Sequence, residues 1–338
     1  MANRRPLCHA RKHRKMRTCV GGLRVVGYAA LIGAVLIWAL SYVVMKSATT
    51  DYPQLLFQFW RYAAVAAVYS IAFHRVIRAI PGSLWKTGLL WLGPANFVHG
   101  FFSIYAVQYT TPTRVVVINS LIIGVVPLLR WFHDRCNPAR PERWAIGIAL
   151  LAISLLLDPQ DRSVQAGDAL AFVGMLGYSY AIVLVNRMLT TDRASVIQVS
   201  YLAVMGCAVY FFAAAAIYAL VRPDGFAVQA LISQPMTIAG VLYMVVFVSL
   251  AANLLQVAGQ RRLSPVTVSI LFCLEPAVTG VLDYVLLGNA ASWRLIVCGL
   301  LLIAATVIAS LRYRTGDADE HALPAAGARS DSTPSVGQ

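Results

Sequence analysis

Long apolar runs separated by short polar stretches fill most of the chain. Most runs approach the roughly 20 residues that a membrane-spanning helix needs, and none alternates like a barrel strand. Because lipid offers the backbone no hydrogen-bond partner, such runs must be helical. Ten can be delimited, at 25–45, 55–73, 84–107, 115–132, 144–157, 168–185, 196–220, 238–258, 266–287 and 293–311. The pattern predicts an all-α polytopic membrane protein with ten transmembrane helices.

Two of the runs differ from the others. The fifth has only 14 residues, and it spans a bilayer only if Glu142 and Arg143 lie at one interface and Asp158 at the other. The first has 21 residues, which is longer than the apolar part of a signal peptide, so it is expected to be a signal anchor and first span.

Basic residues are distributed unevenly between the loops. With ten spans and the amino terminus inside, the inner side holds 22 Lys and Arg residues and the outer side 5. Because basic residues accumulate in cytoplasmic loops, both termini are predicted to be cytoplasmic. Residues 1–24 would form a basic cytoplasmic tail. Residues 312–338, rich in Ala, Gly, Ser, Pro and Asp, would form a disordered cytoplasmic tail.

The spacing of proline and tryptophan suggests an internal repeat. Pro127 precedes Trp144 by 17 residues, and Pro276 precedes Trp293 by 17, so both pairs are 149 residues apart. Two five-helix halves, 25–157 and 168–311, would follow, and they are inverted because five is an odd number. Inverted repeats build many secondary carriers. The alternative is a chance coincidence in a tryptophan-rich membrane sequence.

Composition agrees with a membrane protein: 59% of the residues are apolar, 12% are charged, and the mean hydropathy is +0.68. The net charge of +14 could suggest nucleic-acid binding. That reading fails because eight basic residues lie in the tail and most of the others lie singly or in pairs between the apolar runs, with no soluble fold to carry a continuous basic face. The basic tail is instead expected to contact anionic lipid headgroups.

Arg61 lies inside the second run and shares a helical face with Gln54 and Gln58. A charged side chain at mid-depth costs on the order of 3 kcal/mol on insertion scales, so it needs a reason. Its planar guanidinium could bind a substrate carboxylate through two parallel hydrogen bonds. The alternative, left open by the residues alone, is a structural pairing with Glu275 or a backbone carbonyl.

Glu275 lies near the middle of the ninth run, directly before Pro276. The proline removes a backbone donor and frees a carbonyl of the preceding turn, so the helix is locally polar and able to bend. A carboxyl group at that depth could exchange a proton, or it could be a hydrogen-bonded structural glutamate. Asp283, near the outer end of the same run, is expected to meet water and is the second candidate for proton coupling.

Other polar side chains lie within the runs. Asn96, His99 and Ser103 share one face of the third run, where a single histidine either joins two helices or relays protons. Tyr42 and Asn119 are weaker candidates in the first and fourth runs. The eighth run carries a polar stripe that must face the interior or a wet cavity, as pore lining or as helix-to-helix contacts: Ser249, Asn253, Gln256 and Gln260.

Motifs of catalysis are missing from the sequence. It has no HExxH, GxSxG, P-loop or GxGxxG pattern. The six cysteines form no Cys-x-x-Cys pair, so neither a disulfide nor a structural metal site is expected. We expect no enzyme activity, no cofactor and no metal ion.

Four features stand out in the runs and loops: AGQRRLSPVTVSILFCLEPA at 258–277, WALSYVVMK at 38–46, Arg61, and YAVQYT at 105–110. Together they resemble the EamA family of the drug/metabolite transporter superfamily. The similarity covers roughly residues 25–311, and the second half is most similar to amino-acid exporters. The family usually ends span nine with Leu-Gly-Glu, whereas this chain has Leu287-Gly288-Asn289. A role of that carboxylate is therefore absent here or moved to Asp283.

The resemblance implies a secondary exporter in the bacterial inner membrane that moves a small polar metabolite, such as an amino acid, an amino-acid derivative or an amino-acid-derived metallophore. The expected mechanism is proton-coupled alternating access around a cavity lined by spans one to four and six to nine. The expected partners are the substrate and the lipid bilayer, with a homodimer left open. The candidate substrate-binding residues are Tyr42, Gln58, Arg61, Asn96, His99, Asn119, Asn253 and Gln256.

Alternatives remain. A drug exporter or a nucleobase exporter could have the same fold. From other classes, a membrane-embedded enzyme would need catalytic groups clustered at one interface, and here the ionisable residues are scattered over several spans. A non-transporting membrane protein would pack through small residues rather than polar stripes.

Overall fold

The structure is a computed structural model that describes residues 7–134, 138, 140–155, 165–222, 234–287 and 293–310. Several predicted features lie outside these residues: the first six residues of the basic tail, the tail at 312–338, Asp158 and Asn289. Residue 283 belongs to a described helix, but its side chain lies outside the described part.

Ten helical segments correspond to the ten apolar runs, and we label them α1 to α10. Several consist of consecutive sections. The bounds are α1 Leu7–Ala48, α2 Gln54–Ala72, α3 82–109 (Gly82–Thr87, Gly88–Leu92 and Gly93–Tyr109), α4 Pro112–Asn119 and Ile122–Asp134, α5 Arg140–Ser154, α6 Ala166–Thr190, α7 Val196–Val221, α8 Pro235–Gln260, α9 Pro265–Phe272 and Glu275–Leu287, and α10 Trp293–Ser310. A short helix, His74–Arg78, follows α2.

Seven of these segments are long and apolar enough to cross a membrane: α1, α2, α4, α6, α7, α8 and α9. In α10 the apolar stretch covers Ile296–Ile308, and α5 has 15 residues. Over the described ranges every regular element is helical. The protein is therefore an all-α polytopic membrane protein.

The helix α1 is longer than the predicted first span. It begins at Leu7 and continues through the basic segment into the first apolar run. The helix α5 begins at Arg140, four residues before the predicted run. This places Glu142 in the first turn, at the end of the span where the sequence predicted an interface.

Local chemistry sets where several helices begin. The Ser195 hydroxyl accepts from the Gln198 amide, and the Gln198 side chain accepts in return from the Ser195 amide, which completes a capping box at the start of α7. At α4 and α9 the cap is Thr111 or Ser264, followed in each case by a proline in the first helical position. Proline is tolerated there because its missing N–H would have no helical partner.

Each helix packs against a helix of the opposite half. The pairs are α1 with α8, α3 with α6, α2 with α7, α4 with α9, and α5 with α10. Exchanging the two halves leaves this set of pairs unchanged, as expected for two repeats related by a pseudo-twofold axis.

Glycines allow two of the helices to approach very closely. At the crossing of α3 and α7, a Cβ atom added to Gly206 would lie 2.6 Å from the Cα of Gly93. No side chain fits between backbones at that distance, because Cβ atoms do not approach other atoms under 3.0 Å. Small residues at helix crossings are the usual means of close packing in membranes.

The structure corrects the register of the repeat. The helices α4 and α9 begin at Pro112 and Pro265, so their equivalent starts lie 153 residues apart. The proline and tryptophan spacing of 149 is four residues short, which is one helical turn. Pro127 and Pro276 are therefore not structurally equivalent.

Helices α4 and α9 are both interrupted in their middle, at Ser120–Leu121 and at Cys273–Leu274. These interruptions are also 153 residues apart, and they touch: the Cys273 thiol lies 3.2 Å from the Ser120 carbonyl oxygen. The repeat thus brings two bends together near the centre of the molecule.

Candidate functional site

A cavity of about 110 Å³ lies between the two halves. Side chains of α1 to α4 and of α6 to α9 line it, whereas no described side chain of α5 or α10 does. Both interrupted helices reach it through residues beside their bends, Asn119 and Ile122 on α4 and Phe272 and Glu275 on α9.

Nine of the ten predicted site residues lie around this one cavity, although they come from six different helices. Asp283 is the exception: its backbone lies two turns beyond Glu275, and its side chain is outside the described part. The nine are Tyr42, Gln58, Arg61, Asn96, His99, Asn119, Asn253, Gln256 and Glu275. Their shared location is a geometric finding, and their roles stay predictions.

Arg61 is buried, and hydrogen bonds hold its guanidinium at the cavity wall. Its Nε donates to the Ser249 hydroxyl at 2.8 Å, and its Nη1 donates to Gln58 Oε1 at 3.2 Å. Gln58 is itself oriented by donating to the carbonyl of Gly100 at 3.0 Å. Neither structural alternative from the sequence is found, because Arg61 pairs neither with Glu275 nor with a backbone carbonyl among the described residues.

The position of Ser249 depends on a π-helical section of α8, Met244–Ala252. A π-helix has i→i+5 hydrogen bonds and a wider turn than an α-helix, and it often occurs at functional sites. Met244, Ser249 and Asn253, spaced five and four residues apart, therefore face the cavity together. Gln260, the last residue of the predicted stripe, is buried but does not line the cavity.

Asn119 and Glu275 approach the cavity from the two bends. Asn119 donates from Nδ2 to the hydroxyl of Tyr42 at 2.7 Å. Asn119 Oδ1 and Glu275 Oε1 are buried and have no hydrogen-bond partner among the described residues. Glu275 is 8% exposed, so its carboxyl group can reach only the cavity or the surrounding protein.

His99 joins α3 to α6. Its Nδ1 lies 3.3 Å from the carbonyl oxygen of Gly174 and 3.3 Å from the Ser103 hydroxyl, and its ring stacks on Tyr178 at 4.5 Å between centroids. These contacts fit the interpretation in which His99 joins two helices. On the same face, Asn96 donates to the backbone carbonyl of Leu92 at 3.0 Å.

The sequence did not single out the aromatic wall of the cavity. Trp38, Tyr178 and Phe272 line it, with the Trp38 and Phe272 rings edge to face at 5.1 Å and the Tyr178 and Phe272 rings stacked at 5.9 Å. Trp38 lies within the first apolar run and was noted only as the first residue of the stretch WALSYVVMK, which resembles the EamA family. An aromatic side chain in such a run gives no sign of whether it faces lipid or a cavity.

Polar contacts tie the two halves together at both ends of their interface. At the end predicted to face outward, Arg114 of α4 forms an ion pair with Asp168 of α6, which also accepts from the Thr110 hydroxyl at 3.2 Å. At the opposite end the Ser264 hydroxyl of α9 donates to the carboxylate of Glu142 in α5 at 2.7 Å. In each case one partner belongs to an interrupted helix.

A polar cavity enclosed by two repeat-related helical halves is the architecture of a multi-pass membrane transporter. The chain belongs to the EamA-like transporter family, whose model matches it twice, over residues 25–158 and 165–311. The resemblance noted from the sequence is confirmed, and members of this family are transporters rather than enzymes.

The fold has a counterpart among solved structures. The chain is similar to a protein of known crystal structure with a TM-score of 0.65 and 17% sequence identity, over 88% of this chain and 99% of that one. Identity at this level shows the shared fold alone. No curated protein sequence matches the chain.

Proposed function

We propose that the protein is a secondary carrier that exports a small carboxylate-bearing metabolite, an amino acid or an amino-acid derivative, by alternating access. The observation that carries this proposal is Arg61, a buried guanidinium at the wall of the central cavity with no acidic partner among the described residues. A buried charge is costly unless it is paired, and a substrate carboxylate would supply the pair.

The hydrogen bonds of Arg61 support a binding role. Ser249 and Gln58 accept from two of its N–H groups, and a guanidinium has five. The other three are available to a ligand, and the two fixed bonds hold the planar group in place. Such pre-orientation favours two parallel hydrogen bonds to a carboxylate.

The size of the cavity argues for a small substrate. At about 110 Å³ it is well below the roughly 300–1,000 Å³ of sites that take drug-sized ligands. A drug exporter of the same fold is therefore the less favoured alternative.

Glu275 is proposed to couple transport to protons. It lies on α9 of the second half beside the bend, whereas Arg61 lies on α2 of the first half. We place both termini on the cytoplasmic side of a bacterial inner membrane, because of the basic loops, with the lipid bilayer and the substrate as partners.

The test compares small molecules released into the medium by cells lacking the protein, by cells producing the wild type, and by cells producing Arg61→Ala. We expect at least one carboxylate-bearing metabolite to accumulate outside only with the wild type. Membrane levels of the variant, measured by immunoblot, serve as the control. Release that is identical in all three strains, or a released compound without a carboxylate, would contradict the proposal.

A further inference from the structure

The cavity has a second polar region, opposite in character to Arg61. Glu275 Oε1 and Asn119 Oδ1 are hydrogen-bond acceptors that have no partner among the described residues, and their side chains are 8% and 5% exposed. Both side chains line the cavity. An unpartnered buried acceptor is costly, and these two call for a donor group, as does Asn253 Oδ1, a further acceptor at the same cavity that has no partner among the described residues.

We propose that Glu275 and Asn119 form a subsite for the ammonium group of the substrate, so that the carrier selects zwitterions over plain carboxylates. This inference rests on the proposed function, because it assigns the second charge of a substrate whose carboxylate binds Arg61. A primary ammonium suits the subsite, since it carries one positive charge and three N–H donors.

The two side chains are supplied by neighbouring bends. Asn119 is the last residue of the first section of α4, and Glu275 is the first residue of the second section of α9. The contact between Cys273 and Ser120 joins these bends. The Tyr42 hydroxyl accepts a hydrogen bond from the amide nitrogen of Asn119 at 2.7 Å. The amide oxygen of Asn119 is therefore the atom that can accept from a substrate.

The surroundings of Glu275 suit an organic cation. No Lys, Arg or His among the described residues lies within ion-pair distance of its carboxyl group, so no protein cation neutralises it. Phe272, one turn earlier on α9, lines the same cavity with Trp38 and Tyr178. Aromatic faces attract ammonium groups. These three rings therefore add to the attraction that the Glu275 carboxylate exerts on an ammonium group.

The two charged residues of the cavity have apolar residues at the equivalent positions of the other half. Arg61 is the eighth residue of α2, and the eighth residue of α7 is Ala203, which also lines the cavity. Glu275 opens the second section of α9, and the equivalent residue of α4 is Ile122, again at the cavity. One half contributes the cation and the other contributes the anion, so a zwitterion bound between them contacts both halves.

The experiment measures efflux from proteoliposomes that contain the purified full-length protein. They are loaded with a mixture of the twenty standard amino acids and the matching carboxylic acids that lack the amino group, and mass spectrometry follows the release. The wild type should release one or more amino acids at least tenfold faster than the matching des-amino acids. With equal pH on both sides of the membrane and a protonophore present, so that proton coupling does not affect the rates, Glu275→Gln, which keeps the shape of the side chain, should slow amino-acid release by about ten- to a hundredfold and leave des-amino acids unaffected.

Two further variants separate binding from folding. Asn119→Ala should slow amino-acid release by about three- to tenfold through the loss of one acceptor. Gln260→Leu removes a buried polar side chain of α8 that does not line the cavity, and it should preserve the selectivity of the wild type. Equal elution volume and melting temperature among the variants exclude misfolding.

Each outcome has a separate meaning. Release of neither class by the wild type would overturn the proposed function. Release of both classes at equal rates by the wild type, or an equal loss of both in Glu275→Gln, would overturn the ammonium subsite and leave the role of Arg61 standing.

Discussion

Arg61 on α2 donates a hydrogen bond to Ser249 on α8 at 2.8 Å, across the interface between the two halves of the protein. The guanidinium that we assign to the substrate carboxylate is therefore already in contact with the opposite half. Any movement of the halves relative to each other would stretch this bond or break it. Substrate binding and the conformational change thus share one side chain.

The first prediction concerns this arginine. In Arg61→Ala, transport of carboxylate substrates should fall by about ten- to a hundredfold, because charge-assisted hydrogen bonds contribute roughly 1.5–3 kcal/mol. Ester or amide analogues of the same substrates should lose much less. Rates of uptake into inverted membrane vesicles measure both classes. A matching loss for both would assign a structural role to the arginine.

The second prediction uses Ser249→Ala as the matched variant. It removes a single acceptor from Arg61 and keeps the charge, so its effect on carboxylate transport should be smaller, about three- to tenfold. Thermal denaturation in detergent checks that the variant is folded. A loss as large as that of Arg61→Ala would mean that the contact between halves, and not carboxylate binding, dominates the phenotype.

The third prediction concerns proton coupling. Glu275→Gln cannot release a proton, so a proton gradient should no longer drive its transport, although the protein should still insert into the membrane. Vesicle assays with an imposed gradient, repeated between about pH 6 and pH 8, measure this. Undiminished gradient-driven transport by the variant across that range would rule out a proton role for the residue.

The fourth prediction concerns the crossing of α3 and α7. In Gly206→Ala the new Cβ would lie 2.6 Å from the Cα of Gly93, so the helices must separate, at a cost of about 1–3 kcal/mol. The melting temperature should fall. Gly147→Ala is the matched control, because nothing lies within 4 Å of its added Cβ, and its melting temperature should stay equal or rise slightly. The reverse order of the two variants would show that this crossing does not constrain the fold.

The fifth prediction concerns the end of the interface predicted to face outward. The Asp168 carboxylate accepts from the backbone amide of Gln165, the cap residue of α6, at 3.0 Å, and it forms the ion pair with Arg114. Asp168→Asn weakens both contacts, so it should destabilise the protein by about 1–2 kcal/mol. The exchange variant Arg114→Asp with Asp168→Arg restores opposite charges, and it should recover the part of the loss that came from the ion pair. Chemical denaturation of the single and exchange variants checks this. No recovery would assign the whole effect to the cap.

Much of this architecture could be predicted from the residues. Arg61 and Glu275 lie in runs that lipid would surround, and polar groups facing lipid lose their partners. That argument predicts that these side chains face a common interior, and nine of the ten predicted side chains lie around one cavity. The partner of Arg61 was beyond prediction, because Ser249 reaches it from a π-helical section that no periodic pattern in the apolar run indicated.

The register of the repeat is a second feature that could not be predicted from the residues. Proline and tryptophan spacings indicated two halves correctly, but they placed the equivalence one turn from the helix starts at Pro112 and Pro265. A tilted membrane helix tolerates a shift of one turn, since its lipid-facing surface is uniformly apolar. The register is set where helices touch, by contacts such as that between the Gly93 and Gly206 backbones.

The amino-acid residues alone indicate the number of helical runs, the class of protein and the polar side chains that need an interior, because the cost of exposing polar groups to lipid is a local property of each run. The fold determines which of those residues meet, which wall of the cavity is aromatic, and that Arg61 and Glu275 form no ion pair. Those outcomes depend on how helices distant in the chain cross and bend, and the composition of a single run contains no information about its neighbours.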